Sequence, residues 1–72
     1  MRKKDPAMHK RLCEEIYKLG ESNKIAAEKL NCDPSLVGEW LRYGYMPSVY
    51  YFANFHRAGC DVIYILTGER RA

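Results

Sequence analysis

From residue 5 onward, apolar positions recur at steps of three and four, the period of a helix face rather than of a half-buried strand. Met8, Leu12, Ile16 and Leu19 trace the first such face. Asp5 followed by Pro6 suits its start. A carboxylate accepts from the first free N–H groups, and proline at the first helical position gives up a donor that has no partner there. Gly20 is the expected stop, in the left-handed conformation that glycine adopts without a Cβ clash, and Lys18 suits the negative pole just before it. A second helix is expected from a Ser22 cap, with Ile25, Ala26 and Leu30 facing inward and the small Ala27 letting another backbone come close.

Asp33 and Pro34 repeat the cap-and-proline start, and Leu36, Val37, Trp40 and Leu41 supply the apolar side of a third helix ending near Tyr43-Gly44. Pro47 reads as the first-turn proline of a fourth helix, whose run of Val49, Phe52, Ala53, Phe55 and His56 stops at Gly59. The last element, VIYIL, is capped by Asp61 and closed by Thr67-Gly68. As a strand it would have no partner elsewhere in the chain, so it is read as a short helix. The pattern predicts an all-α bundle of four or five helices, a single domain over residues 5–68, with residues 1–4 and 69–72 as loose ends.

Composition narrows the picture. A chain of 72 residues, 47% apolar and 29% charged, supports one modest core and is not of the disordered type. No apolar run approaches the roughly 20 residues that span a bilayer. The basic start MRKKDPAMHKRL has no apolar stretch of secretory type, so a cytoplasmic protein is expected. Cys13, Cys32 and Cys60 are widely spaced and odd in number, a poor disulfide framework. With His9 and His56 they form no close ligand pair of the zinc-binding kind, so they are read as small buried thiols, and no metal or cofactor is expected. No serine–histidine–acid set accompanies them, which argues against an enzyme. The net charge of +3 is uneven, +4 over residues 1–11, −3 over 12–41 and +2 beyond. Such a balance permits polyanion binding at one surface without demanding it.

The short connection Asn31-Cys32-Asp33 then carries the most information. A DNA-reading helix-turn-helix needs two short helices locked at a wide angle, one crossing the backbone while the other enters the major groove. Locking takes a small residue where the helices approach and apolar residues where both meet the core. Ala27, Cys32, Val37 and Trp40 have those properties in that order.

On Asn23, Ala27, Cys32, Val37 and Trp40, with Ser22 as the second-helix cap and Pro47 near the fourth, the chain resembles the Cro/phage-repressor-like (XRE) helix-turn-helix family. The closing segment AGCDVIYILTGERR is similar to the AGVD-x-x-YLLTG ending common in phage-type members. The likeness spans residues 10–68. Asn31 replaces the usual turn glycine, Leu41 a frequent glutamate, and Gly44 falls one position late. The resemblance implies a lambda-repressor-like bundle and a small phage-type transcriptional regulator, a repressor acting as a dimer on a double-stranded operator.

Carried over residue by residue, the resemblance places base-reading positions at Pro34, Ser35, Gly38, Glu39 and Arg42, on a recognition helix spanning about residues 34–43. Arg42 is the strongest of these, because its planar fork grips guanine O6 and N7 together. Ser35 can bond to bases or phosphates, Glu39 can accept from cytosine N4, and Pro34 can touch a thymine methyl. Gly38 weakens the helix but permits close approach. Tyr43, Tyr45 and Ser48 stand where backbone contacts are implied, and the N–H groups near Asn23 and Lys24 can hold a phosphate. Lys3, Lys4, Lys10 and Arg11 would add non-specific attraction as an arm, and Tyr50, Tyr51, Ile63, Tyr64 and Ile65 an apolar dimer seam. A second reading stays open: a protein-interaction module on the same scaffold, not itself DNA-binding.

Overall fold

The computed structural model describes residues 5–70. The basic arm residues Lys3 and Lys4, and the expected loose ends at residues 1–4 and 71–72, lie outside that range. Among the described residues five helices follow one another: α1 (Pro6–Leu19), α2 (Asn23–Leu30), α3 (Pro34–Tyr43), α4 (Val49–Arg57) and α5 (Val62–Thr67). The architecture is the all-α bundle that the spacing predicts.

The predicted caps start four of these helices. Asp5 Oδ1 accepts from the N–H groups of Ala7 and Met8, each at 3.1 Å, and Ser22 Oγ accepts from Ile25 at 3.2 Å. Asp33 Oδ1 accepts from Ser35 at 2.9 Å and Asp61 Oδ1 from Tyr64 at 2.9 Å. Each supplies an acceptor to a donor that the first turn leaves open.

Between α2 and α3 the chain turns through Asn31, which takes the left-handed conformation at φ 55°, ψ 50°. Asparagine tolerates that region better than most residues. The Cys32 N–H then reaches back to Ala27 O at 3.0 Å, closing the end of α2. With only residues 31–33 between them, α2 and α3 are held as one unit.

The core is drawn from every helix. Leu12, Ile16 and Leu19 come from α1, Ala26, Ala27 and Leu30 from α2, Val37 and Trp40 from α3, Phe55 from α4 and Ile65 from α5, with Cys60 beside them. Trp40 makes an edge contact with Tyr51 at 5.3 Å between centroids and a tilted one with Phe55 at 5.6 Å. Each large side chain buried here contributes roughly 1.5–3 kcal/mol.

Several local expectations are corrected. Gly20 is extended, at φ 174°, so it does not serve as a left-handed stop. A Cβ there would instead land on the Ile25 side chain, so the glycine provides room for α2 to start. Ile25 covers that spot from outside and is not in the core, while both alanines are buried. Pro47 lies before the helix, because Ser48 takes the cap position and Val49 begins α4. Within α4, Val49, Ala53 and His56 face solvent, and only Phe55 of that run is fully buried.

A polar cluster joins α1 to the α5 end of the chain. Glu15 is only 2% exposed. Its carboxylate accepts from Lys18 Nζ at 2.9 Å, from the Asp61 N–H at 2.8 Å and from Arg70 Nη2 at 3.2 Å. Burial alone would raise this carboxyl, but the Asp61 N–H and the two cations outweigh it and hold Glu15 below its ordinary value. Arg70 also stacks 3.8 Å over the Tyr64 ring and approaches Asp61 at 3.5 Å. This part of the expected loose end is thus anchored to the bundle. Arg11 is likewise not on an arm: its Nε donates to Ile65 O at 3.1 Å.

Candidate nucleic-acid interface

An open groove of about 430 Å³ runs along the outer side of α3. It is lined by Asn23 from α2 and by Pro34, Ser35, Gly38, Glu39, Arg42 and Tyr43 from α3. All of these were singled out from the sequence. They come together because residues 34, 35, 38, 39 and 42 share the α3 face opposite Val37 and Trp40, whose burial turns that face outward.

The donors and acceptors in this groove differ in how far they are already engaged. Arg42 is exposed and in no ion pair among the described residues; its guanidinium rests 5.7 Å from the Tyr43 ring. Its hydrogen-bonding fork is therefore available. Glu39 is exposed beside it. Ser35 is more constrained than its residue type suggests. Its Oγ donates to Asp33 Oδ1 at 2.9 Å, so in this arrangement the hydroxyl offers acceptor lone pairs rather than a proton. The Ser35 N–H and hydroxyl hold the Asp33 carboxyl below its usual value, leaving an anion at the start of α3. That anion and Glu39 offset the positive field of Arg42 and Lys24, so the groove is mixed in charge rather than basic.

Lys24 is exposed on α2 but does not line the groove, and neither do Tyr45 nor Ser48. Tyr45 packs 6.3 Å from Tyr43, and Ser48 caps α4 without a side-chain bond. Ser22 engages Ile25 and Ala26, which leaves the N–H groups of Asn23 and Lys24 as the outward donors at the start of α2. Such groups suit an anion at a helix's positive end.

One residue that holds the site was assigned no role from the sequence. His9 Nε2 lies 2.8 Å from Trp40 O. A carbonyl only accepts, so Nε2 carries the proton and supplies a donor to the last turn of α3, where carbonyls lack helical partners. Only the α1–α3 packing creates this bond across 31 residues, so no local spacing could have signalled it.

The expected dimer seam is only partly available. Ile65 is fully buried, Tyr51 packs on Trp40, and the Tyr64 hydroxyl donates to Glu14. Tyr50 and Ile63 remain exposed, joined by Val49 and Leu66. Burial raises Cys13 and Cys32, and burial with the nearby Glu15 carboxylate pushes Cys60 up to about 11. Among the described residues, no group of three or more His, Cys, Asp or Glu side chains could hold a metal, and no helix is long and apolar enough to cross a membrane. No family model, curated protein or solved structure matches the chain.

Proposed function

We propose that this protein is a small sequence-specific regulator of the Cro/phage-repressor-like kind, binding double-stranded DNA through α3 in the major groove. The observation that carries the reading is the groove itself. One helix face brings a guanidinium with no ion pair among the described residues, a carboxylate, a hydroxyl acceptor and a glycine together, with the outward N–H groups of α2 beside it. Arg42 would read guanine by its fork, Glu39 and Ser35 would accept from exposed base amino groups, and the α2 N-terminus would sit on a phosphate. A two-fold dimer would place two such helices one turn apart and repress by occupying an operator. The cytoplasm is the setting in which such a partner is met.

Selection of duplexes from a random pool at two salt concentrations tests this. A common motif should emerge, with affinity falling steeply as salt rises, because phosphate contacts release counterions. Selection of no motif, with salt-insensitive weak binding, would refute it. The exposed apolar surface of Val49 (86%), Tyr50 (73%) and Ile63 (43%) favours one other reading, a protein-interaction module on the same scaffold. That module would bind its partner with little salt dependence and ignore duplex sequence.

A further inference from the structure

Gly38 lies inside α3, where glycine costs about 0.8–1 kcal/mol relative to alanine. Nothing in the fold requires it. It is not among the positive-φ glycines, so its backbone is open to any residue. Space inside the protein does not demand it either. Among the described residues, a Cβ built on Gly38 would meet only Asn23 Nδ2, at 3.4 Å, the tip of an exposed side chain. Gly20 is the internal contrast, since a Cβ there strikes Ile25. What glycine at 38 does create is a notch in the groove wall.

Behind that notch stands a second, independent feature. The Asn23 carboxamide is exposed, lines the same groove and makes no hydrogen bond among the described residues. It therefore offers an acceptor and donors side by side, with Nδ2 next to the position that a residue-38 side chain would occupy.

Resting on the DNA-binding reading above, we propose that Gly38 and Asn23 form one base-reading element. The missing side chain lets an adenine edge reach past α3, and the Asn23 amide bonds to it. The chemistry selects adenine. Its major-groove edge presents an acceptor at N7 and a donor at N6, which one carboxamide satisfies together. Guanine presents two acceptors, cytosine a donor alone, and thymine an acceptor beside a methyl. A phosphate would use only Nδ2 and bring Oδ1 near an anion, and the Asn23 and Lys24 N–H groups already serve that purpose better. This pair would thus fix one A·T pair in each half-site.

The test uses the tightest duplex from the selection, a series of single base-pair replacements, and the Asn23→Ala and Gly38→Ala variants. Wild-type protein should lose about tenfold or more in affinity when one particular A·T pair is replaced, or when its adenine is changed to 7-deazaadenine or purine. Each variant should level that preference to within about twofold while keeping preferences elsewhere, and the double variant should add nothing. Gly38→Ala should melt no lower than wild type, which separates notch filling from misfolding. Uniform weakening of Asn23→Ala on every duplex would assign the amide to a phosphate and overturn the proposal. So would Gly38→Ala binding with its base preferences intact. If wild type selects no duplex at all, the DNA-binding reading fails and takes this proposal with it.

Discussion

Arg42 ends on a surface where its charge has one aromatic neighbour and no carboxylate partner among the described residues. A guanidinium left in that state costs the fold nothing when removed, so stability and function can be separated at this side chain. Arg42→Ala should leave the unfolding midpoint within the ±0.5 kcal/mol typical of surface changes. In a binding assay on the selected duplex it should cost roughly 1–3 kcal/mol and relax the preference at one guanine. Arg42→Lys keeps the charge but loses the fork, so it should restore affinity more than selectivity. His9 should behave in the opposite way. Its ring donates to Trp40 O, and His9→Ala leaves that carbonyl without this partner. Urea unfolding should show a loss of about 1–2 kcal/mol, with duplex binding of the folded protein retained.

At the scale of elements, α2 and α3 behave as one piece because small residues let them meet. Ala26 and Ala27 are each 1% exposed, and the left-handed Asn31 returns the chain at once. Ala27→Leu would insert three carbons where no space exists, costing roughly 1–3 kcal/mol by overpacking, more if α3 tilts away. Denaturant midpoints report the first, and loss of duplex binding before loss of helical signal would report the tilt. Trp40→Ala should cost more, about 3–5 kcal/mol, because it empties the centre of the Tyr51 and Phe55 cluster. These elements were legible in the sequence because their causes are local: Asp5-Pro6, Ser22, Asp33-Pro34 and Asp61 all act within three residues of themselves. That residues 34, 35, 38, 39 and 42 line one outward side of α3 was legible for the same reason, since a single helical period around Val37 and Trp40 turns them away from the core. What was not legible depended on distant packing or on competition between neighbours. Pro47 looked like a helix start until Ser48 took the cap, and the Ser35 hydroxyl looked free until Asp33 claimed its proton.

Over the whole molecule, the bundle is closed by polar contacts between α1 and the α5 end of the chain. Arg11 reaches Ile65 O, Tyr64 reaches Glu14, and Glu15 gathers Lys18, the Asp61 N–H and Arg70. Residues 46 and 55 positions from Glu15 in sequence supply two of those bonds, so the closure tests the assembled fold rather than any helix alone. Glu15 gives it a pH signature. The folded protein holds this carboxyl below its ordinary value of 4.5, so folding favours the ionised form. The stabilisation is therefore complete above the ordinary value and is lost as pH falls through the lower, folded one. Glu15→Gln removes the ionisation but leaves an acceptor for Asp61, and should be less stable than wild type by roughly 1–3 kcal/mol at pH 7. Comparing urea midpoints of the two proteins between pH 7 and pH 2.5 cancels the remaining carboxylates. The gap should stay constant down to about pH 4.5 and then narrow with further acid. A gap that persists unchanged at pH 2.5 would mean that the shape of residue 15, and not its charge, closes the bundle.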